Sequence, residues 1–300
     1  MWFSVMVVFA FYAAIFIIFY DFDRKHYNIL DEPNDWNLLW FSLVVMAGLG
    51  LLLLFFAHRM DSRIDRQQSE RQNKMRRELT QNIGHEFKTP LASIMGYMET
   101  IKENPQMDEK TREQFLNRAI AQTKRMSSLL RDLSKLNKLD FAPELLTCED
   151  VNLSDIVSDI VQETEFAVKA QQMKVNNNIP AELIVNGNSL MIYSIFRNLF
   201  DNSISYAGKG STIELSAERQ GSKFWKFTFS DNGKGVAEHH LNRLFERFYR
   251  IDKGRSRELG GTGLGLSIVK NAIIFHGGNI VALPNDTGKG LKFVFTLKAK

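Results

Sequence analysis

The chain has 300 residues, of which 44% are hydrophobic and 24% are charged, with 19 Gly and 6 Pro. Such a length and composition allow roughly two or three compact domains and exclude a long repeat array or a mainly disordered protein. The formal net charge of +4 is too small to indicate nucleic acid as a direct partner, and the single Cys148 excludes an intramolecular disulfide and a thiolate zinc site.

Two segments, residues 2–20 and 38–57, are almost entirely apolar. At about 1.5 Å per residue, each helix would cover the hydrocarbon core of a bilayer, which is about 30 Å thick. A cleaved signal peptide is the alternative for the first segment and a buried core helix for the second. No basic residue precedes the first segment, and the second is apolar on every face. We therefore predict a helical membrane hairpin over residues 1–57, with a short outer loop over 21–37.

The charges that flank these segments predict their orientation. Residues 21–37 contain two basic and five acidic side chains, whereas residues 58–80 contain seven basic ones. By the positive-inside rule, everything after residue 57 is expected in the cytoplasm. The outer loop is too short to bury a core of its own, so we expect no ligand-binding domain there. Residues 58–80 are predicted to form a signalling helix that continues from the second span.

A helical hairpin is predicted next, over residues 81–140. Residues 59–103 are rich in helix formers and contain one proline, Pro90, before Asn104-Pro105 ends the helix. A second helix is predicted over 108–139, with this apolar stripe: Phe115, Ala119, Met126, Leu129, Leu133 and Leu136. Two such helices bury too little apolar surface alone, so we predict a homodimer with a four-helix bundle to which each chain contributes one α-hairpin.

One histidine stands on the polar side of the first helix of this hairpin. The apolar stripe of that helix consists of Ile83, Phe87, Leu91, Ile94, Met98 and Ile101, and His85 lies roughly opposite its centre. A surface histidine without a task is the usual interpretation of one such residue. Here Glu86 is adjacent and Thr89 is one helical turn further on. A zinc site of the HExxH type is excluded because Thr89 occupies the position of the second histidine.

The segment His85-Glu86-Phe87-Lys88-Thr89-Pro90-Leu91 resembles the H box of bacterial sensor histidine kinases. The resemblance implies that His85 is the autophosphorylated residue. It further implies that Glu86 accepts the proton from the imidazole and that Thr89 positions water for dephosphorylation of a partner.

The pattern changes after a predicted linker at residues 141–150, and residues 151–300 are predicted to form an α+β two-layer sandwich. Alternating or apolar runs predict strands at 212–217, 224–230, 279–283 and 291–297. Helices are predicted at 153–170, 189–206 and 266–275.

Four groups of residues in this domain could bind a ligand. Asn198 and Asn202 are spaced by one helical turn, for which a solvated helix face is the alternative. Asp231-Asn232-Gly233-Lys234-Gly235 follows a strand, for which a simple turn is the alternative. The third group is Phe245-Glu246-Arg247-Phe248-Tyr249-Arg250, and the fourth is a glycine segment, Gly260 to Leu266, that opens a helix whose free N–H groups favour phosphate. Neither a P-loop nor a G-x-G-x-x-G motif is present.

In this order, the four groups resemble the N, G1, F and G2 boxes of the GHKL-type ATP-binding domain. The resemblance implies that ATP is bound, that Asp231 accepts a hydrogen bond from the adenine amino group, and that Asn202, with Asn198 nearby, holds Mg²⁺. Tyr206 and Phe248 are expected to shape the adenine and lid surfaces. Arg250 is expected to approach the phosphates. The remaining nucleotide-binding positions implied by the boxes are Gly233, Gly235, Gly261, Thr262, Gly263, Leu264 and Gly265.

The sequence departs from the N box at one position, because Ser205 stands where the family usually has a lysine. We expect weaker nucleotide binding at most, with Lys209 as a possible substitute for the missing phosphate contact.

Together, the two apolar segments and the resemblance imply a multi-pass sensor histidine kinase in the lipid of the bacterial inner membrane. It would use MgATP to phosphorylate His85 and pass the phosphoryl group to an aspartate of a cognate response regulator. Two alternatives are a chaperone-like or DNA-handling GHKL ATPase and a catalytically silent scaffold that binds nucleotide. The membrane segments and the H box argue against the ATPase, and only Ser205 favours the scaffold.

Overall fold

A computed structural model of the chain describes residues 35–252, 261–286 and 288–300. Contacts divide the chain into two compact units, Met1–Thr80 and Gln81–Lys300. The predicted first span, 2–20, and most of the predicted outer loop, 21–37, lie outside the described residues. For the part of the chain that is described, no helix meets the length and hydropathy that a membrane span requires.

Two long helices form the predicted hairpin. Helix α1 is Asp35–Glu103, and helix α2 is Glu109–Phe141. The break between them falls at Asn104-Pro105, as the sequence predicted. Asp108 caps α2, because its side chain accepts a hydrogen bond of 2.9 Å from the Thr111 amide. Pro90 lies inside α1, which continues through it for three more turns.

The apolar stripe of α2 is buried or half-buried along its whole predicted length. Ala119, Leu129, Leu133 and Leu136 are its buried members. Other apolar side chains of the hairpin remain exposed in a single chain, namely Leu91, Met95, Met98, Leu116, Ile120 and Leu130. They include Leu91 and Met98 of the predicted α1 stripe. This is the surface that the predicted homodimer would bury.

The rest of the chain is an α/β sandwich. A 3-10 helix, Pro143–Leu145, precedes these elements in chain order: β1 (Glu149–Asn152), α3 (Leu153–Ala170), β2 (Lys174–Asn178), β3 (Ile184–Gly187), α4 (Ser189–Tyr206), β4 (Thr212–Gln220), β5 (Phe224–Asp231), α5 (Glu238–Leu241), α6 (Gly265–Phe275), β6 (Ile280–Pro284) and β7 (Leu291–Lys298). The main sheet has the order β2-β4-β5-β7-β6, and only the β2–β4 pair is parallel. Strands β1 and β3 form a separate antiparallel ribbon.

The four predicted strands and three predicted helices of this domain are present, with ends that differ by a few residues at most. Three short strands were missed. Strand β2 reads Lys-Val-Asn-Asn-Asn at the edge of the sheet, and the ribbon strands β1 and β3 have four residues each. Such segments are too short and too polar to show the alternation that identifies a strand. The β1 strand begins at Glu149, inside the predicted 141–150 linker.

One core lies between the sheet and helices α3, α4 and α6. Strand β7 alternates buried and less buried residues, and Phe227 and Phe229 of β5 are buried on the face of the sheet that meets the helices. Phe196 of α4 contacts Phe227 of β5, with ring centroids 5.8 Å apart, and Phe200 contacts Phe229 at 5.2 Å. The rise along the helix from Phe196 to Phe200 and the rise along the strand from Phe227 to Phe229 are therefore nearly equal, at roughly 6 Å each. This match fixes the position of α4 along β5.

Candidate active site

Asp231 lies at the end of β5 and is 4% exposed. Phe200 of α4 packs on Phe229 of β5. Ser203, one helical turn beyond Phe200, therefore lies beside Asp231, two residues beyond Phe229. The Ser203 hydroxyl donates to Asp231 Oδ2 at 2.8 Å, and the Gly233 amide donates to Oδ1 at 3.0 Å. A buried carboxylate held in this way can accept a further hydrogen bond from a ligand N–H group, because each oxygen has two lone pairs.

Two glycines of the predicted binding segment have steric reasons to be glycine. A Cβ at Gly233 would overlap the backbone of Ala207, at the end of α4. Gly235 has φ +70°, and a Cβ there would lie 3.0 Å from the Gly290 carbonyl oxygen. Larger residues would therefore separate the Asp231 loop from α4 and from the start of β7.

Asn198 of α4 faces the beginning of α6. Asn198 donates from Nδ2 to the Ser194 carbonyl at 2.7 Å, which turns its Oδ1 toward Gly265. A Cβ at Gly265 would lie 2.6 Å from that oxygen. Asn202 is half-buried and Tyr206 is exposed on the same helix. The predicted N box and glycine segment are thus adjacent in space.

Residues 245–250, here called the F segment, are joined to the glycine segment through backbone contacts. The Phe248 amide donates to the Gly263 carbonyl at 2.8 Å, and both residues have positive φ, +60° and +73°. A Cβ at Gly263 would lie 3.0 Å from Phe248 Cα. The guanidinium of Arg250 donates to the Gly261 carbonyl. Glycine at 263 therefore permits the close approach that brings Arg250 to this loop.

Helix α6 begins immediately after this junction, at Gly265. The Leu264 side chain is fully buried and anchors the turn. The Thr262 hydroxyl accepts from the Leu264 amide at 3.2 Å and donates to Asp132 of α2 at 2.9 Å. The first N–H groups of an α-helix have no intrahelical acceptor and favour an anion. The turn that starts α6 can therefore bind phosphate.

The predicted phosphoacceptor lies on the hairpin, where His85 is exposed. The Thr89 hydroxyl donates to the His85 carbonyl at 3.4 Å, a long bond within one helical turn. The Glu86 side chain is 19% exposed, and its Oε2 lies 3.2 Å from Arg125 of α2 and 3.3 Å from Arg250 of the F segment. Arg250 thus contacts both the residue beside His85 and the glycine segment.

A second group of contacts joins the hairpin to the sandwich. Arg247 Nη2 lies 2.8 Å from Asp140 Oδ1, and Asn271 of α6 donates to the same oxygen at 3.0 Å. Burial raises the pKa of the Asp140 carboxyl, against the opposing effect of the Arg247 charge. Burial likewise raises the pKa of Asp132, against the hydrogen bond from Thr262. Both aspartates lie on α2, eight residues apart.

Sequence reasoning did not identify Arg125, Asp132, Asp140, Ser203 or Asn271. Charges on α2 and a serine inside α4 have the pattern of ordinary helix residues, so no local signal distinguishes them.

Within the described residues, no group of three or more His, Cys, Asp and Glu side chains could hold a metal. Any metal here would depend on amide oxygens such as those of Asn198 and Asn202, together with ligand oxygens.

Two protein families match the chain. The HisKA family, "His Kinase A (phospho-acceptor) domain", matches residues 75–141, and the HATPase_c family, "Histidine kinase-, DNA gyrase B-, and HSP90-like ATPase", matches residues 187–300. The sensor-like histidine kinase SenX3 of Mycolicibacterium smegmatis is 30% identical over 233 residues, which are 78% of this chain and 60% of SenX3. The sensor histidine kinase WalK of Bacillus subtilis is 32% identical over 235 residues, 78% of this chain and 38% of WalK. The chain thus spans about half the length of these relatives.

Solved structures share the fold. The Acinetobacter baumannii histidine kinase AdeS superposes with a TM-score of 0.56 at 24% identity, covering 72% of this chain and 97% of that one. The histidine kinase ThkA, solved in complex with the response regulator protein TrrA, superposes with a TM-score of 0.56 at 19% identity, covering 74% of this chain and 61% of that one.

Proposed function

Because this chain belongs to the sensor histidine kinases, with a phosphoacceptor hairpin followed by a GHKL-type ATP-binding domain, we propose that it phosphorylates His85 with MgATP. It then passes the phosphoryl group to an aspartate of a response regulator. Thr89, one turn from His85, is the candidate for positioning water when that regulator is dephosphorylated.

The observation that carries the proposal is the pair of contacts made by Arg250. Its guanidinium donates to the Gly261 carbonyl and lies 3.3 Å from Glu86, the neighbour of His85. The loop expected to hold the phosphates is therefore adjacent to the turn that displays the histidine. An ATPase or a scaffold without phosphoryl transfer would not need this juxtaposition.

In the proposed reaction, a ring nitrogen of His85 attacks the γ-phosphorus. The new N–P bond forms as the bond to the β,γ-bridging oxygen breaks, and ADP leaves with that electron pair. Glu86 accepts the proton that the other ring nitrogen loses. Since Glu86 is engaged by Arg125 and Arg250 in the observed arrangement, at least one of these pairs has to open first. The observed arrangement thus corresponds to a resting state.

The nucleotide site uses the residues grouped above. Asp231 accepts from the adenine amino group, and the glycine segment from Gly261 to Gly265 surrounds the phosphates. Arg250 moves from Glu86 to a phosphate oxygen. Mg²⁺ is held by the Asn202 amide oxygen, with Asn198 nearby. Amide and phosphate oxygens are the hard ligands that Mg²⁺ prefers, and the half-buried position of Asn202 is compatible with that role.

Two protein partners are proposed. The uncovered apolar side chains of the hairpin support a homodimer, because an exposed patch of this kind marks a protein interface. The structure of ThkA with a response regulator supports a regulator as the second partner. The exposed position of His85 leaves it accessible to such a protein. We propose no direct contact with nucleic acid.

We also propose that residues 1–57 attach the chain to the bacterial inner membrane. The sequence supports two spans, 2–20 and 38–57. Within α1, large apolar side chains are exposed at Leu51, Leu52, Leu53, Leu54, Phe55 and Phe56, which lipid would cover. Resistance of the membrane-bound chain to alkaline carbonate extraction would support this attachment. Complete release into the soluble fraction would contradict it.

Labelling the purified chain with γ-³²P-ATP tests the phosphoryl transfer. The proposed N–P bond predicts a label that is lost in acid and retained in base. Label from α-³²P-ATP should not be incorporated, because the α-phosphate leaves with ADP. An acid-stable label would overturn the assignment to histidine, and absence of label despite bound ATP would favour the scaffold.

A further inference from the structure

Ser203 is a buried serine of α4 whose hydroxyl is directed at the predicted base-recognition residue. It is 1% exposed, and its Oγ lies 2.8 Å from Oδ2 of Asp231, which is itself buried. The backbone donors reach the other carboxylate oxygen. Gly233 donates to Oδ1 at 3.0 Å, and the Leu291 amide lies 3.4 Å from it. Among the described residues, Ser203 is therefore the one side chain that donates to this carboxylate.

We propose that Ser203 is a positioning residue for purine selection. By fixing the plane of the Asp231 carboxylate, it gives the site its preference for a purine with a 6-amino group. The inference rests on the proposed function, in which Asp231 meets the adenine amino group. What is new here is the group that orients Asp231, the Ser203 hydroxyl.

The plane of the Asp231 carboxylate can change by rotation about the terminal torsion of the side chain. The terminal torsion of Asp is broad, so backbone donors on one oxygen leave the second oxygen weakly restrained. A donor on each oxygen fixes the plane and leaves a defined lone pair for the ligand. Because a hydrogen bond to a charged group is stronger than one between neutral groups, loss of the serine hydroxyl should disturb this orientation.

The chain offers a matched control on the same helix. Ser194 is also 1% exposed, but its hydroxyl donates to the Leu190 carbonyl within α4 at 2.8 Å. Ser194→Ala and Ser203→Ala thus remove the same atom from equally buried positions. Only the second substitution removes a donor from Asp231.

The test compares ATP with purine riboside triphosphate, which carries hydrogen in place of the 6-amino group. Calorimetry with the full chain in detergent measures both dissociation constants for the wild type, Ser203→Ala and Ser194→Ala. We expect Ser203→Ala to weaken ATP binding roughly 5- to 30-fold and to change purine riboside triphosphate binding less than about twofold. Ser194→Ala should change neither. In the labelling reaction, Ser203→Ala should raise the KM for ATP and leave kcat close to that of the wild type.

The outcomes separate this inference from the proposed function. If Ser203→Ala weakens both nucleotides equally, or neither, Ser203 does not act through base recognition and the inference fails, while the kinase assignment stands. If the wild type does not distinguish the two nucleotides, the role of Asp231 fails and the inference falls with it. Should Ser203→Ala fail to fold, Ser203→Cys keeps the size and has a weaker donor, so a smaller loss of selectivity in the same direction is expected.

Discussion

The Arg250 guanidinium lies 3.3 Å from the Glu86 carboxylate, although 164 positions separate the two residues in the chain. Arg250 also donates to the Gly261 carbonyl, so one side chain joins the phosphoacceptor turn to the glycine segment. The Arg250 Nη2 nitrogen makes both contacts, so this nitrogen has to leave Glu86 before it can donate to a phosphate oxygen. Binding of nucleotide and release of Glu86 are thus expected to occur together.

Glu86→Gln tests the proton acceptor. We expect autophosphorylation to slow roughly 10²- to 10⁴-fold, because the amide cannot accept the imidazole proton, while ATP still binds. The initial rate of labelling at saturating ATP measures the effect. Glu99→Gln, an exposed glutamate on the same helix, is the control and should label normally. A wild-type rate in Glu86→Gln would remove Glu86 from the reaction.

Gly233→Ala tests the packing of the Asp231 loop against α4. A Cβ at this position would overlap the Ala207 backbone, so the loop has to move and its carboxylate moves with it. We expect a loss of ATP affinity of at least about tenfold, a free-energy change of ~1.4 kcal/mol. Gly96→Ala is the matched control, because no atom lies within 4 Å of the added Cβ. Equal ATP affinities in the two variants would contradict this steric account.

Asp140→Ala tests the junction between the hairpin and the sandwich. The substitution leaves Arg247 and Asn271 without their shared acceptor, in a site where the Asp140 and Arg247 side chains are mostly buried. We expect a loss of roughly 2 to 4 kcal/mol in the free energy of unfolding of this junction, together with faster amide exchange in α6. Asp140→Asn should lose less, because its amide oxygen still accepts. Asp159→Ala, at an exposed position of α3, should change stability by less than about 0.5 kcal/mol. An effect of Asp140→Ala as small as this control would show that the junction is held elsewhere.

His276 should make the stability of the sandwich depend on pH. Its Nε2 accepts from the Asn188 amide at 2.9 Å and its Nδ1–H donates to the Ala272 carbonyl, so the ring is neutral in the fold. Burial lowers its pKa below the ordinary 6.5. The unfolded chain therefore takes up the proton at higher pH, and stability should fall as the pH drops below 6.5, by at most about 1.4 kcal/mol per pH unit.

Urea unfolding between pH 8 and pH 5 measures this dependence, with His276→Gln as the non-titrating variant. We expect the wild type to lose more stability over this range than the variant does. Parallel curves for the wild type and His276→Gln would show that His276 does not contribute.

Elements with a strong hydrophobic period could be predicted from the sequence. The alternation in β7 and the stripe of α2 define which residues face a core, and the structure confirms both. The ribbon β1–β3 has too few residues for such a period. Pairs such as Thr262 with Asp132, 130 positions apart, depend on how two domains pack, which no local pattern specifies. Ser203 opposite Asp231 follows only once the register of Phe200 on Phe229 is known.

Mapping the phosphorylated residue tests the central claim most directly. The full chain is incubated with MgATP, kept at alkaline pH to preserve N–P bonds, digested, and analysed by mass spectrometry beside His85→Gln. We expect phosphate on the peptide that contains His85 and none in His85→Gln, although this variant still binds ATP. Phosphate on another residue, or equal phosphorylation of His85→Gln, would contradict it.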